Sequence, residues 1–182
     1  MGVAQAPACE STSWGYDEAA ADAAASTVRD VCARIAELLR TVPDEDLRRR
    51  PTAQRWSPLE YACHVRDVLL VQRERVLMAL RGEGGTAITM GRDERAVDDG
   101  YAAQDPNEVA VQVEQSARLF ADLLDRLDRL GPDRWDLEVA YLFPEPSMRS
   151  LRWVAVHTAH EAVHHLADMG LPERHRAGSD DI

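Results

Sequence analysis

The sequence predicts an all-α fold, a four-helix bundle with a long loop between its second and third helices, and three observations predict it. Apolar residues recur at helical spacing over four separate stretches of roughly 16 to 25 residues. Two stretches open on Ser-Pro-x-Glu or Asp-Pro-x-Glu, the capping signals of helix N-termini, and each stretch closes at Gly or Pro. No convincing strand interrupts the pattern: Leu137 to Leu142 has an extended character, but Pro144 and Pro146 follow it and no partner strand is apparent, so it is expected as loop. At 182 residues the chain is long enough for one substantial core and too short for two.

Taken in order, residues 1–15 mix Ala, Pro, Ser and Thr without periodicity and are expected as a mobile tail, as is the polar segment 173–182. Between them, 16–172 forms the helical domain. The first helix carries Val28, Val31, Cys32, Ile35, Leu38 and Leu39 and ends before Pro43; the Ala-rich run Asp17 to Ala25 leaves its start open by a turn or two. The second begins at Ser57-Pro58-Leu59-Glu60, with Trp56 placed as a hydrophobic staple and His64 in the second turn, and runs to Gly82. Gly82 to Gly100 is glycine-rich and polar, a connection long enough to suggest a lid, a binding loop or a disordered segment. Asp105-Pro106-Asn107-Glu108 opens the third helix, through Val109, Val113, Phe120, Leu124 and Leu127 to the stop at Gly131-Pro132. Ser147 or Ser150 caps the fourth, which ends at Gly170.

Charge and cysteine usage narrow the function classes. A net charge of −11 with scattered arginines repels phosphate backbones and anionic membranes, so neither nucleic acid nor membrane is an expected partner. No window has the apolar length of a spanning helix and the N-terminus lacks a signal-peptide pattern, which points to the cytoplasm. Cys9, Cys32 and Cys63 are odd in number and show no CxxC spacing, so neither a disulfide framework nor a thiolate zinc site is indicated. All 21 basic residues are arginine, a bias of the kind GC-rich genomes such as those of actinobacteria impose.

The fourth helix concentrates the chemistry. His157 to Gly170 holds four of the six histidines, and residues four apart share a helix side, giving three ligand-like pairs: His157 with Glu161, His160 with His164, and Glu161 with His165. On a helical wheel Leu151, Ala155, Ala159, Ala162, Leu166 and Met169 form the core stripe. Glu161 and His165 flank one edge of it and His160 the other, while His164 lies opposite. The wheel therefore favours Glu161 with His165 as the inward pair by a small margin. With His64 on another helix, this is the raw material of a metal site between facing helices.

These residues resemble a known family. Trp56-Ser57 followed by His64, and Glu161-x-x-x-His165-x-x-Asp168 on the last helix, are similar to the motifs of the DinB-like (YfiT-like) superfamily of four-helix metal proteins, over about Tyr16 to Pro172. The resemblance implies that His64, Glu161 and His165 bind a divalent metal, with the pair His160 and His164 as the competing register. Glu161 replaces the commoner histidine, giving a His, Glu, His set similar to that of mycothiol-dependent maleylpyruvate isomerases, whose N-terminal domains are related. Asp168 and His157 would then orient ligand rings. The ion implied is Zn²⁺ first, with Ni, Fe or Mn as alternatives, and the cosubstrate is a low-molecular-weight thiol.

Two functions follow as expectations. In one, the metal activates the thiol for S-transfer or isomerisation on a small electrophile, in a monomer or a homodimer, and Arg92 and Arg95 of the long loop meet a carboxylate on thiol or substrate. In the other, a non-catalytic metal- or ligand-binding stress module, the protein closes the coordination sphere with a fourth ligand such as His157 or His160.

Overall fold

Six α-helices carry the architecture of the computed structural model, which describes residues 18–82, 86–87, 89–142 and 147–170. The tails expected at 1–15 and 173–182 lie outside these residues. After a single 3₁₀ turn at Glu18–Ala20 come α1 (Ala21–Thr41), α2 (Asp44–Arg48), α3 (Pro58–Leu80), α4 (Arg92–Asp98), α5 (Pro106–Leu130) and α6 (Leu151–Asp168). The four long ones are the predicted bundle.

Side-chain caps fix where three of the four long helices start, α1 having none at Ala20. The Ser57 hydroxyl accepts from the Glu60 backbone N–H while the Glu60 carboxylate accepts from the Ser57 N–H at 2.9 Å, a reciprocal capping box. Trp56 packs edge-to-face on Tyr61 with ring centroids 5.7 Å apart, which is the staple expected across the first turn. Asp105 accepts from the N–H groups of Asn107 and Glu108, and Ser150, not Ser147, caps α6 by accepting from Trp153 N–H. Gly131, at φ +106°, ends α5 in a conformation that a side chain disfavours.

The buried stripes meet in one core, with Val28, Cys32 and Ile35 from α1, Leu59 and Leu69 from α3, Val113, Phe120 and Leu124 from α5, and Leu151, Ala155 and Leu166 from α6. Helix α1 packs against α5 and α6, and α3 packs against the same two. Helices consecutive in the bundle, α1 with α3 and α5 with α6, therefore stand across its diagonals. One consequence matters for function: His64 on α3 and the histidines of α6, distant in sequence, belong to packed neighbours.

Two expectations are corrected. Leu137 to Leu142 is not loop: Glu138–Tyr141 forms β2, antiparallel to β3 (Ser147–Ser150) and parallel to the two-residue β1 (Thr86–Ala87), in the order β1-β2-β3. The prolines do not interrupt a strand because they fall between β2 and β3, in residues 143–146 outside the described set. Val139 and Tyr141 turn inward with period two, and the partner strand was concealed in Ser147 to Ser150, which resembles a helix start. The connection after Gly82 is likewise not structureless, since it contributes β1 and α4 before a 3₁₀ turn at Tyr101–Ala103. No described helix is long and apolar enough to cross a membrane.

Candidate metal centre

His64 faces α6 from the second turn of α3. Its side is set by the capping box, which fixes where α3 begins and hence which residues turn inward. The imidazole is 4% exposed, and its Nδ1 is buried with no hydrogen-bond partner among the described residues. Trp56 packs edge-to-face on it at 5.3 Å, so the staple that orders the helix start also walls the histidine. Burial, reinforced by His165, Arg92 and Arg95, holds the His64 imidazole well below its ordinary pKa and thus neutral, the state that donates a lone pair.

Across from it, α6 presents Glu161 and His165 one turn apart. The His64 and His165 rings lie 4.9 Å apart, edge-to-face, and His165 Nε2 lies 3.5 Å from a Glu161 carboxylate oxygen. One donor atom from each of His64, Glu161 and His165 lies within 4.8 Å of the other two. Donors around a tetrahedral ion with bonds of 2.0–2.1 Å stand about 3.3 Å apart, so small side-chain rotations would close this set on one ion. Burial raises the Glu161 carboxyl, but the hydrogen bond to His165 and the neighbouring imidazoles outweigh it and hold the group down at about 2. Two imidazoles, one with an orphaned buried nitrogen, and an ionised carboxylate form a donor set that fits a divalent cation.

A relay of contacts behind His165 fixes its ring. Its Nδ1–H donates to Asp168 at 3.1 Å, leaving Nε2 toward Glu161, and Tyr61 stacks on the ring at 5.2 Å. Arg55 in turn donates to the Asp168 backbone carbonyl at 2.7 Å and approaches its carboxylate at 3.6 Å. Burial lowers the His165 imidazole, but the hydrogen bonds to Asp168 and Glu161 prevail and raise it. Two carboxylates thus converge on this position and favour positive charge there.

The remaining predicted residues separate. His160 is buried but joins neither three-donor cluster found among the described residues; it stacks on His164 at 5.9 Å. His164 Nε2 lies 3.2 Å from the Asp168 carboxylate, so His164, His165 and Asp168 make a second cluster. That cluster draws on a single helix, and both imidazoles meet the same Asp168 oxygen at hydrogen-bond distance. His157 stacks on Trp153 at 4.6 Å and contributes to the field that lowers Glu161. Arg92 lies over the Trp56 ring at 4.3 Å, and Arg95 reaches Asp67 at 3.7 Å. A cleft of about 320 Å³ lined by Arg29, Ala33, Glu114, Ala117, Arg118 and Asp122 lies on the α1/α5 side and includes none of these histidines; its Arg29 is already paired with Asp122 and Asp125.

Sequence reading missed a buried polar network beside the site. Asp67 accepts from Tyr101 Oη at 2.6 Å and from Arg66 Nε at 2.7 Å, and Arg66 also donates to Gln104 and Gln112. Asp67 lies three residues after His64, a spacing that puts it on the same side of α3. A charged pair, Arg66-Asp67, set within the otherwise apolar run Val65 to Val71 was the available signal. Cys63 is buried, and its thiol is pushed up to about 12, chiefly by burial, so it is an inert core group.

Comparison with known proteins was informative at the levels of family and fold. The model of the DinB superfamily matches residues 27–169. Among solved structures, YfiT from Bacillus subtilis, described as a probable metal-dependent hydrolase with an unusual four-helix bundle topology, superposes with a TM-score of 0.72 at 14% identity, over 82% of this chain and 83% of its own. A mycothiol-dependent maleylpyruvate isomerase superposes with a TM-score of 0.64 at 18% identity, over 82% of this chain and 60% of its own. The present chain therefore spans about three fifths of that isomerase. No curated protein matches the sequence.

Proposed function

The chain belongs to the DinB superfamily, and from that premise we propose that it is a divalent-metal-dependent enzyme, with His64, Glu161 and His165 as the metal ligands and a small thiol as cosubstrate. One observation carries the reading: two buried imidazoles from different helices meet edge-to-face at 4.9 Å with an ionised carboxylate 3.5 Å from one of them. Zn²⁺ suits two imidazoles and a carboxylate, and when bound it supplies Lewis acidity that stabilises a thiolate at neutral pH. The cluster holds three protein donors among the described residues, which supports a site with open positions over the closed site of a structural module.

The protein's own groups have distinct tasks in this reading. Asp168, held by Arg55, keeps the His165 proton on Nδ1 so that Nε2 is free to ligate. Trp56 and Tyr61 exclude water from the two imidazoles and restrict their rotation. The sulfur of the thiol would attack a small electrophile, in S-transfer or isomerisation of the kind the mycothiol-dependent isomerase's name describes. Water in place of the thiol would give hydrolysis, the activity attributed to YfiT.

Elemental analysis of the purified protein, combined with a conjugation screen of mycothiol and simpler thiols against electrophiles, tests the proposal. About one metal per chain and metal-dependent thiol consumption are expected. A protein that binds metal and consumes ester but no thiol would make it a hydrolase. One that binds no metal would refute the site.

A further inference from the structure

We propose that Arg92 is a carboxylate-binding residue at the rim of the metal centre, so that the small molecule taken there carries a carboxylate group. The inference rests on the metal-centre reading above and names the class of ligand that such a centre would receive.

The long connection brings two arginines to the site, and the structure separates their roles. Arg95 is already engaged: it approaches Asp67 at 3.7 Å and Asp99 at 4.0 Å, and it donates to the Met90 carbonyl. Arg92 makes no ion pair or hydrogen bond among the described residues: its guanidinium carbon lies over the Trp56 ring at 4.3 Å from the centroid, and its Nε is buried with no hydrogen-bond partner there. A buried charged donor without an acceptor is costly, and contact with an indole face offers the buried Nε–H no carbonyl or carboxylate oxygen. Such a group is expected where a ligand supplies the acceptor.

Position makes the ligand specific to this site. The same Trp56 carries Arg92 on its ring and packs edge-to-face on His64 at 5.3 Å. The chain as a whole carries a net charge of −11, so a small anion approaching the centre meets repulsion except where a cation is left uncompensated. A planar guanidinium presents parallel N–H groups that match a carboxylate in bidentate fashion. The carboxylate could belong to the thiol or to the electrophile, and the recognising chemistry is the same.

Titration calorimetry on the zinc-loaded protein tests this. Succinate is compared with succinamide, and mercaptoacetate with 2-mercaptoethanol, in wild type, Arg92→Gln and Arg92→Lys, with zinc content measured on every sample. Wild type should prefer the carboxylate member of at least one pair, and Arg92→Gln should weaken that member roughly 10- to 100-fold with zinc content unchanged. Arg92→Lys, which keeps the charge but not the fork, should fall between. An Arg92-dependent preference in the first pair assigns the carboxylate to the electrophile, and one in the second assigns it to the thiol. Equal carboxylate affinities in wild type and Arg92→Gln would overturn the inference. The same titrations on metal-free protein read the arginine separately: absence of zinc from wild type would count against the metal centre alone, while an Arg92-dependent preference there would still support this assignment.

Discussion

The two buried histidines of α6, His160 and His165, have opposite fates on substitution if Glu161 and His165 ligate. Glu161→Ala, His165→Ala and His64→Ala should each lose most of the metal, because each removes one of three protein donors. His160→Ala should keep it, since His160 is stacked on His164 away from the three-donor cluster. Metal content measured on the four purified variants decides the register, and retention in Glu161→Ala with loss in His160→Ala would reverse it. Asp168→Asn should weaken metal binding by a smaller factor, about 10- to 100-fold, because the His165 ring loses its anionic anchor while all three ligands stay. A metal titration in which Asp168→Asn matched wild type would remove Asp168 from the site. The cluster itself was legible as spacing, but three i, i+4 pairs shared it and the wheel favoured Glu161 with His165 over His160 with His164 only by a small margin; it is the first pair whose donors lie within 4.8 Å of His64. Asp168 was legible too, one turn beyond. The buried Arg92 Nε without an acceptor among the described residues was not, since nothing in a string of residues tells which of 21 arginines already has its carboxylate.

Helix starts were the most legible elements because caps are local, and α3 shows how much rests on one. Glu60 is 2% exposed, closes the capping box with Ser57, and is gripped by Arg50 through two nitrogens, one of them Nε at 2.8 Å. Arg50→Ala leaves that buried carboxylate short of its counter-charge and should cost about 1–3 kcal/mol in denaturant unfolding. An unchanged midpoint would show that the cap alone suffices. Burial raises the Glu60 carboxyl, but Arg50 and Ser57 prevail and hold it below its ordinary value of 4.5. A depressed carboxylate contributes stability that is present above the unfolded pKa and lost as pH falls through the folded one. The stability advantage of wild type over Glu60→Gln should therefore be full near neutrality and shrink as pH drops below about 4.5. The strands were illegible for the opposite reason. Glu138–Tyr141 is defined by pairing with Ser147–Ser150 and with Thr86–Ala87, and the latter lies some fifty residues upstream, where local propensity carries no information.

At the scale of the whole molecule, the four long helices and their core stripes were readable from periodicity, while the short α2 and α4 were not; nor was the diagonal placement of α1 with α3 and of α5 with α6, because periodicity says which face is buried and not against what. With that placement, a metal held by His64, Glu161 and His165 would be a cross-link between separate parts of the chain. His64 comes from α3 and Glu161 and His165 from α6, nearly a hundred residues later, so an unfolded chain does not hold the three donors together. Ion binding to the native state alone adds RT ln(1 + [L]/Kd) to stability, about 2.7 kcal/mol at a free concentration one hundred times Kd. For a domain of this size each kcal/mol is worth about 2–4 °C, so saturating zinc should raise the melting temperature by about 5–10 °C. His64→Ala should abolish that rise without unfolding the metal-free protein, because truncating a ring that has an unsatisfied buried nitrogen removes a desolvation cost along with its packing. The comparison is internal: metal-free wild type and metal-free His64→Ala should melt close together, and only wild type should move when zinc is added. Equal zinc-induced shifts in both proteins would place the bound ion elsewhere, and a shift in neither would show that the three donors do not bind it in the folded state.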